Sequence, residues 1–176
     1  MLGQLIADAQ LDATKPAGAQ IALMNPFGVR APIVPAADGS VKFGDIYAAQ
    51  PFNNTLVTQS LSGAELKAVL EQGFDENGPY QALIPSAGLS YGYDMTRPVG
   101  DRVVDLRFGG QPIDPGATFR VTTNSFLAQG GDSFTLLARQ KDGVIGVSDL
   151  DALEAWLKGT DLRAVPEALR AAEVKR

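Results

Sequence analysis

The segment from Asn124 to Phe134 constrains the fold most, because it ends an apolar run with two glycines and a carboxylate. The alternation over residues 119–123 predicts a strand. Gly130 and Gly131 allow a sharp bend with close approach of another group, and Asp132 projects from that bend. A strand that ends in this way can deliver backbone and an acid to a ligand. The alternative is a plain loop after an edge strand, in which Asp132 binds its own backbone.

Further strands are predicted where short apolar or alternating segments end at turn residues. They cover residues 20–24, 55–60, 88–93, 102–108 and 111–113. Gly109 and Gly110 separate the last two as a two-residue hairpin signal, and Asp38 with Gly39 marks another turn before residues 41–43.

Helices are fewer, and the one that follows Leu61 is the best specified. Ser62 and Glu65 have the spacing of a capping box, and Gly73 marks the end of the helix. Leu61 and Leu66 fit a hydrophobic staple across that box, and the apolar residues that follow predict a buried stripe. Three other helical segments are predicted, over residues 2–11, 44–50 and 149–158, with a polar tail beyond the last.

Strands outnumber helices and follow one another in irregular order, which predicts the α+β class. We expect a single domain over residues 1–176, with a mixed β-sheet flanked by helices. The 176 residues and 45% apolar content suffice for one sizeable core, and no second compositional regime occurs along the chain.

Composition excludes several functions. The net charge is −5 and the basic residues are scattered, so no nucleic-acid polymer is expected as a partner. No run of about 18 apolar residues predicts a membrane span, and the first segment lacks the features of a signal peptide. Cysteine and histidine are both absent, which removes thiolate nucleophiles, the Ser-His-Asp triad and the commonest metal ligands.

Paired carboxylates remain as a possible catalytic device. The acidic residues considered for this role are Asp94, Asp101, Asp105, Asp114 and Asp132. A self-contained glycosidase would need two acids about 5–10 Å apart in one cleft. The alternative is that these residues, which lie in turn-like or alternating segments, are merely solvated. We therefore predict no catalytic residue and no metal ligand in this chain.

Three predicted strand ends carry similar polar and aromatic groups. They are residues 25–30, 51–54 and 126–132. Together they offer two phenylalanines, an arginine, amide side chains and an aspartate, which suit a ligand with a flat ring, a hydroxylated sugar and an anionic group. This combination describes a nucleotide.

The sequence also resembles the C-terminal domain of the 5'-nucleotidase family, which includes periplasmic bacterial UDP-sugar hydrolases and animal ecto-5'-nucleotidases. The resemblance runs in order over roughly residues 2–137. The matching pieces are residues 2–9, 25–30, 44–45, 50–54, 61–66, 102–103 and 124–134. Each piece is short, and their shared order carries the resemblance.

This resemblance implies roles for six residues. Phe52 and Phe126 would stack on the two faces of the base, and Asp132 would accept hydrogen bonds from the ribose hydroxyls. Core packing is the alternative for the two rings, and turn capping for Asp132.

Asn25 and Asn54 would contact the base or orient the surrounding loops, where turn capping is again the alternative. Arg30 would bind the substrate phosphate, for which a guanidinium is well suited. The alternative for Arg30 is a surface ion pair. Phe27 stands where the family usually has a second glycine, and a further family arginine lies upstream of the matched segment.

The family's N-terminal domain is a two-metal phosphoesterase, and no segment of this chain resembles it. The resemblance therefore implies a nucleotide-recognition domain that is not catalytic alone, with divalent metals only in that other domain. It also implies a periplasmic, cell-surface or secreted protein. A scaffold or interaction domain of the same fold, without a working nucleotide site, is the alternative.

Overall fold

The structure, a computed structural model, describes residues 1–76, 79–159 and 165–174. The helices are α1 (Leu2–Thr14), α2 (Phe43–Ala49), α3 (Gly63–Gln72), α4 (Ser125–Ala128) and α5 (Asp149–Lys158). The strands are β1 (Ile21–Met24), β2 (Thr55–Ser62), β3 (Ile84–Pro85), β4 (Leu89–Tyr93), β5 (Val103–Phe108), β6 (Gln111–Pro112), β7 (Thr118–Asn124), β8 (Val144–Ser148) and β9 (Ala171–Glu173).

The strands form two mixed sheets. The larger has the order β3-β1-β7-β2-β8, with β1 parallel to β7 and the other neighbouring pairs antiparallel. The smaller has the order β6-β5-β4-β9, with β9 parallel to β4. The predicted α+β class with mixed sheet and flanking helices is confirmed, although the strands divide between two sheets.

The larger sheet separates two apolar clusters because successive side chains of a strand point to opposite faces. In β1, Ile21 and Leu23 join a cluster with α3 and the smaller sheet, whereas Met24 joins α1, α2 and α5. Thr122 of β7 faces α1, where its hydroxyl lies 2.8 Å from that of Thr14. The sheet is therefore covered on both sides.

The predicted helix signals correspond to observed contacts. Ser62 Oγ accepts a hydrogen bond from the Glu65 amide, and Glu65 Oε2 accepts one from the Ser62 amide at 2.7 Å. The hydrogen bonds that the Ser62 amide and hydroxyl donate to the Glu65 carboxylate hold its pKa below the ordinary value. The last predicted helix is also observed over residues 149–158, with Ser148 Oγ capping the Asp151 amide.

Several elements differ from the sequence prediction. The first helix extends to Thr14, and α2 begins and ends one residue earlier than the predicted range of 44–50. The polar tail contains β9, which depends on pairing with β4. The β8 segment was not predicted either, since its apolar residues are exposed on an edge strand and show no inward and outward alternation.

The strand directions bring four segment ends to one edge of the larger sheet. Parallel strands β1 and β7 both end there, and antiparallel β2 begins there, with Leu56 opposite Asn124. The first residue of α5 reaches the same edge, because Thr55 pairs with Ser148. Among the described residues, no helix is both long enough and apolar enough to cross a membrane.

Candidate functional site

One cleft at this edge of the sheet is lined by all six residues that the sequence singled out. They are Asn25, Arg30, Phe52, Asn54, Phe126 and Asp132. Met24, Phe27, Gly28, Asn124 and Asp149 complete the lining of a cavity of about 220 Å³. Residues from four segments that are distant in sequence therefore meet at one concave surface.

Two aromatic rings lie at the cleft with half of their surface free. Phe52 is 50% exposed and Phe126 is 46% exposed, and both sit outside the two apolar clusters. The ring pairs in contact among the described residues are Phe74 with Tyr93 and Phe108 with Phe119. Neither cleft ring thus stacks against another aromatic ring of the described residues, and both keep apolar surface available to a ligand.

A chain of three side chains fixes the carboxylate of Asp132. The Asn25 amide donates to Asp132 Oδ2 at 2.8 Å, and Asn25 Oδ1 accepts from the Asn124 amide at 3.0 Å. Asn124 Oδ1 in turn caps α4 by accepting the Leu127 amide N–H. Because Asn25 and Asn124 are buried, their hydrogen bonds define one orientation of the carboxylate.

Sterics explain why glycine occupies positions 130 and 131 of the turn. Gly130 lies at φ +88°, in the left-handed region. A Cβ on Gly131 would lie 2.6 Å from both the ring and the carbonyl oxygen of Phe126. Asp132 and Ser133 have φ +53° and +69°, so the turn combines close packing with three left-handed residues and presents Asp132 beside the Phe126 ring.

Arg30 is exposed at the opening of the cleft. Its guanidinium carbon lies 5.6 Å from the centre of the Phe52 ring, within the range of a cation–π contact. Its backbone amide donates to the Ala49 carbonyl at 2.9 Å, which ties the turn after β1 to the end of α2. Within the described ranges Arg30 forms no salt bridge.

Asp149 is a cleft residue that the sequence analysis did not identify. Its backbone N–H donates to the Asn54 carbonyl at 2.8 Å, and its Oδ2 accepts from the Asn54 side-chain amide at 3.3 Å. The side chain is buried, and that burial raises its pKa above the ordinary value. A buried acid at the first position of a helix has no local sequence signature, so only its pairing with Asn54 reveals it.

The other acids considered as catalytic candidates do not line the cleft. Asp94, Asp101, Asp105 and Asp114 contribute nothing to it, which leaves Asp132 and Asp149 as its acidic residues. Asp94 is buried and accepts from the Thr96 hydroxyl at 2.6 Å. In the described part of the chain, no three His, Cys, Asp or Glu side chains are grouped so that they could hold a metal ion.

The fold and cleft define an α+β domain with a small aromatic and polar site at one sheet edge. Residues 1–139 match the family described as "5'-nucleotidase, C-terminal domain". The chain therefore belongs to the 5'-nucleotidase C-terminal domain family.

Individual relatives agree with this assignment. The chain is 33% identical over 175 residues to the "Trifunctional nucleotide phosphoesterase protein YfkN" of Bacillus subtilis, covering 94% of this chain and 12% of that protein. It is 31% identical to "Protein UshA" of Escherichia coli, covering 89% and 27%. A crystal structure of a 5'-nucleotidase precursor from Thermus thermophilus shares 36% identity at a TM-score of 0.84, covering 99% and 35%. The chain thus spans about a third or less of these proteins.

Proposed function

We propose that this domain binds the nucleoside part of a nucleotide for a 5'-nucleotidase-type phosphoester hydrolase, and that it is not catalytic alone. One observation carries the proposal. Two half-exposed phenylalanines from different segments line the same cleft as a carboxylate held by Asn25. Flat apolar surface and a fixed acceptor are what a base and its ribose require.

Each part of the ligand has a counterpart in the cleft. Phe52 and Phe126 supply faces for the base, a contact worth about 1–3 kcal/mol per base in nucleic-acid binders. Asp132 accepts from the ribose hydroxyls, and its hydrogen bond from Asn25 keeps the carboxylate in place. Arg30 is exposed beside Phe52 and has no carboxylate partner among the described residues, so its guanidinium is available to a phosphate.

The hydrolytic step belongs, in this proposal, to an N-terminal metallophosphoesterase domain of the whole protein. That domain would hold the divalent metals, and the present domain would bring the phosphate to it. From the resemblance to the 5'-nucleotidase family, we also propose that the whole protein is periplasmic, displayed at the cell surface or secreted. The similarity to a nucleotide phosphoesterase of Bacillus subtilis and to a 5'-nucleotidase precursor of Thermus thermophilus supports the coarse activity.

A ligand-observed NMR titration with adenosine and AMP tests the proposal directly. We expect a Kd in the micromolar to millimolar range, corresponding to roughly −8 to −4 kcal/mol. AMP should bind more tightly than adenosine, and Arg30→Ala should remove most of that difference. Arg107→Ala, which removes a partly exposed arginine outside the cleft, is the control. No binding of either compound at millimolar concentration would refute the proposal.

A scaffold or interaction domain of the same fold is the second candidate. Phe27, 47% exposed at the cleft, favours it, because an exposed ring in the turn before Arg30 could contact another protein. Adenosine titration of the wild-type chain and of Phe27→Ala separates the two functions. Under the first proposal the variant still binds adenosine, whereas a scaffold would give no nucleoside binding in either form.

A further inference from the structure

The guanidinium of Arg30 lies over the ring of Phe52, a contact that the assigned roles of the two residues leave unexplained. Its carbon is 5.6 Å from the ring centre. The arginine is exposed and, in the described part of the chain, no acidic side chain forms a salt bridge with it. In the absence of a ligand, the positive charge therefore rests on one of the two rings that line the cleft.

The backbone keeps the two side chains within reach of each other. The Arg30 N–H donates to the Ala49 carbonyl at 2.9 Å, and Ala49 precedes Phe52 by three positions. The side chains themselves are not held by packing, since Arg30 is exposed and Phe52 is 50% exposed and outside both apolar clusters. The contact can therefore open and close again without disturbing the core.

We infer that Arg30 covers the cleft-facing side of Phe52 until a phosphate draws it away, and that the site thereby favours nucleotides over nucleosides. Both side chains line the cavity, whereas a guanidinium behind the ring would be screened from the cavity by the ring. A charge-assisted pair with a phosphate is stronger than a solvent-exposed cation–π contact, so the guanidinium moves to the phosphate when one is bound. This inference rests on the proposed nucleoside-binding function.

The substrate and the product of a phosphate-removing reaction differ in this respect. A nucleotide brings an anion for Arg30, which leaves the ring of Phe52 free for its base. A nucleoside has to displace the guanidinium from the ring and offers no anion in exchange, so the cation–π contact lowers its affinity. The contact therefore disfavours rebinding of the dephosphorylated product.

Arg30→Ala tests the inference, because it should change two affinities in opposite directions. Dissociation constants for adenosine and AMP would be measured by NMR titration. The adenosine Kd should fall about twofold to fivefold, since the ring is uncovered. The AMP Kd should rise roughly tenfold, since the phosphate loses its charged partner. Arg139→Ala is the matched control, because Arg139 is also exposed, lies outside the cleft and has no salt bridge within the described ranges. It should leave the adenosine Kd unchanged.

Two further measurements show whether the effect passes through the ring. In a Phe52→Leu background, adding Arg30→Ala should no longer tighten adenosine binding, because there is no ring to uncover. Saturating inorganic phosphate should tighten adenosine binding to the wild-type chain about twofold to fivefold, and should have no such effect on Arg30→Ala. Sodium chloride at equal ionic strength is the control for screening, and unfolding in urea would establish that each variant is folded.

The possible outcomes are distinct. Binding of neither adenosine nor AMP by the wild-type chain would refute the proposed function itself. An adenosine Kd that stays the same or rises in Arg30→Ala, while AMP binds more weakly, would overturn the inference and leave that function intact. Tighter adenosine binding that persists in the Phe52→Leu background would also overturn it, since the guanidinium would then act elsewhere than on this ring.

Discussion

The side-chain amide of Asn25 donates to the carboxylate of Asp132 across 2.8 Å and 107 positions of sequence. The bond joins the turn after β1 to the glycine turn after α4, which are the two loops that carry most of the cleft. Since β1 and β7 are parallel, both loops leave the same edge of the sheet. Asn25 thus links the two loops and holds the Asp132 carboxylate in place as a hydrogen-bond acceptor.

Asn25→Ala tests this relationship. The substitution removes a donor from Asp132 and leaves the Asn124 amide without its acceptor in a buried position. We expect the free energy of unfolding to fall by about 1–3 kcal/mol, and adenosine affinity to fall with it. Urea unfolding and NMR titration measure the two effects. Gln111→Ala on the exposed strand β6 is the control, and unchanged affinity in Asn25→Ala would contradict the role of this bond.

Phe126→Ala should weaken nucleoside binding with little effect on stability. The ring is 46% exposed and lies outside the apolar clusters, so its removal leaves a small cavity at most. The loss of stacking is expected to cost about 1–3 kcal/mol of binding free energy. Phe43→Ala removes a ring of similar exposure, 51%, that does not line this cleft. Equal affinities for the two variants would place the base elsewhere.

Gly131→Ala should disturb both the fold and the site. Its Cβ would lie 2.6 Å from the Phe126 ring and from a backbone oxygen, so either the ring or the turn must move. A cost of about 1–3 kcal/mol in unfolding free energy is expected for such overpacking, together with weaker adenosine binding. Gly116→Ala is the control, because its nearest contact would be an ordinary 3.6 Å. Wild-type behaviour of Gly131→Ala would mean that the turn relaxes freely.

Asp149→Asn should change the pH dependence of stability. The raised pKa of Asp149 arises first from burial, so the native state binds its proton more tightly than the unfolded chain does. Stability therefore falls as pH rises from the ordinary value of 3.8 through the folded-state pKa, and this penalty is complete above it. Asp149→Asn lacks the penalty. Its unfolding free energy relative to wild type should rise over that pH interval and then stay constant.

Urea unfolding at a series of pH values measures this difference, with Asp151→Asn as the exposed control on the same helical turn. A difference between Asp149→Asn and wild type that does not vary with pH would show that burial does not disfavour the charged form of Asp149.

Much of the fold could be predicted because its signals are local. Ser62 and Glu65 mark the start of α3, and Gly109 with Gly110 marks the hairpin between β5 and β6. The edge strand β8 and the tail strand β9 could not be predicted in this way. β9 is set by pairing with a strand about 80 residues earlier, as in Ala171 opposite Tyr91, and pairing at such a distance leaves no periodicity within the segment itself.

The sequence by itself determined the residue types of the site, because aromatic rings, amides, an arginine and a glycine turn follow strand ends in a recognisable order. Only the tertiary structure decided which of them share a cleft, and it added Asp149, whose partner Asn54 lies 95 residues away. The physical reason is that turn chemistry depends on neighbouring residues, whereas burial and hydrogen bonding of a carboxylate depend on every element packed around it.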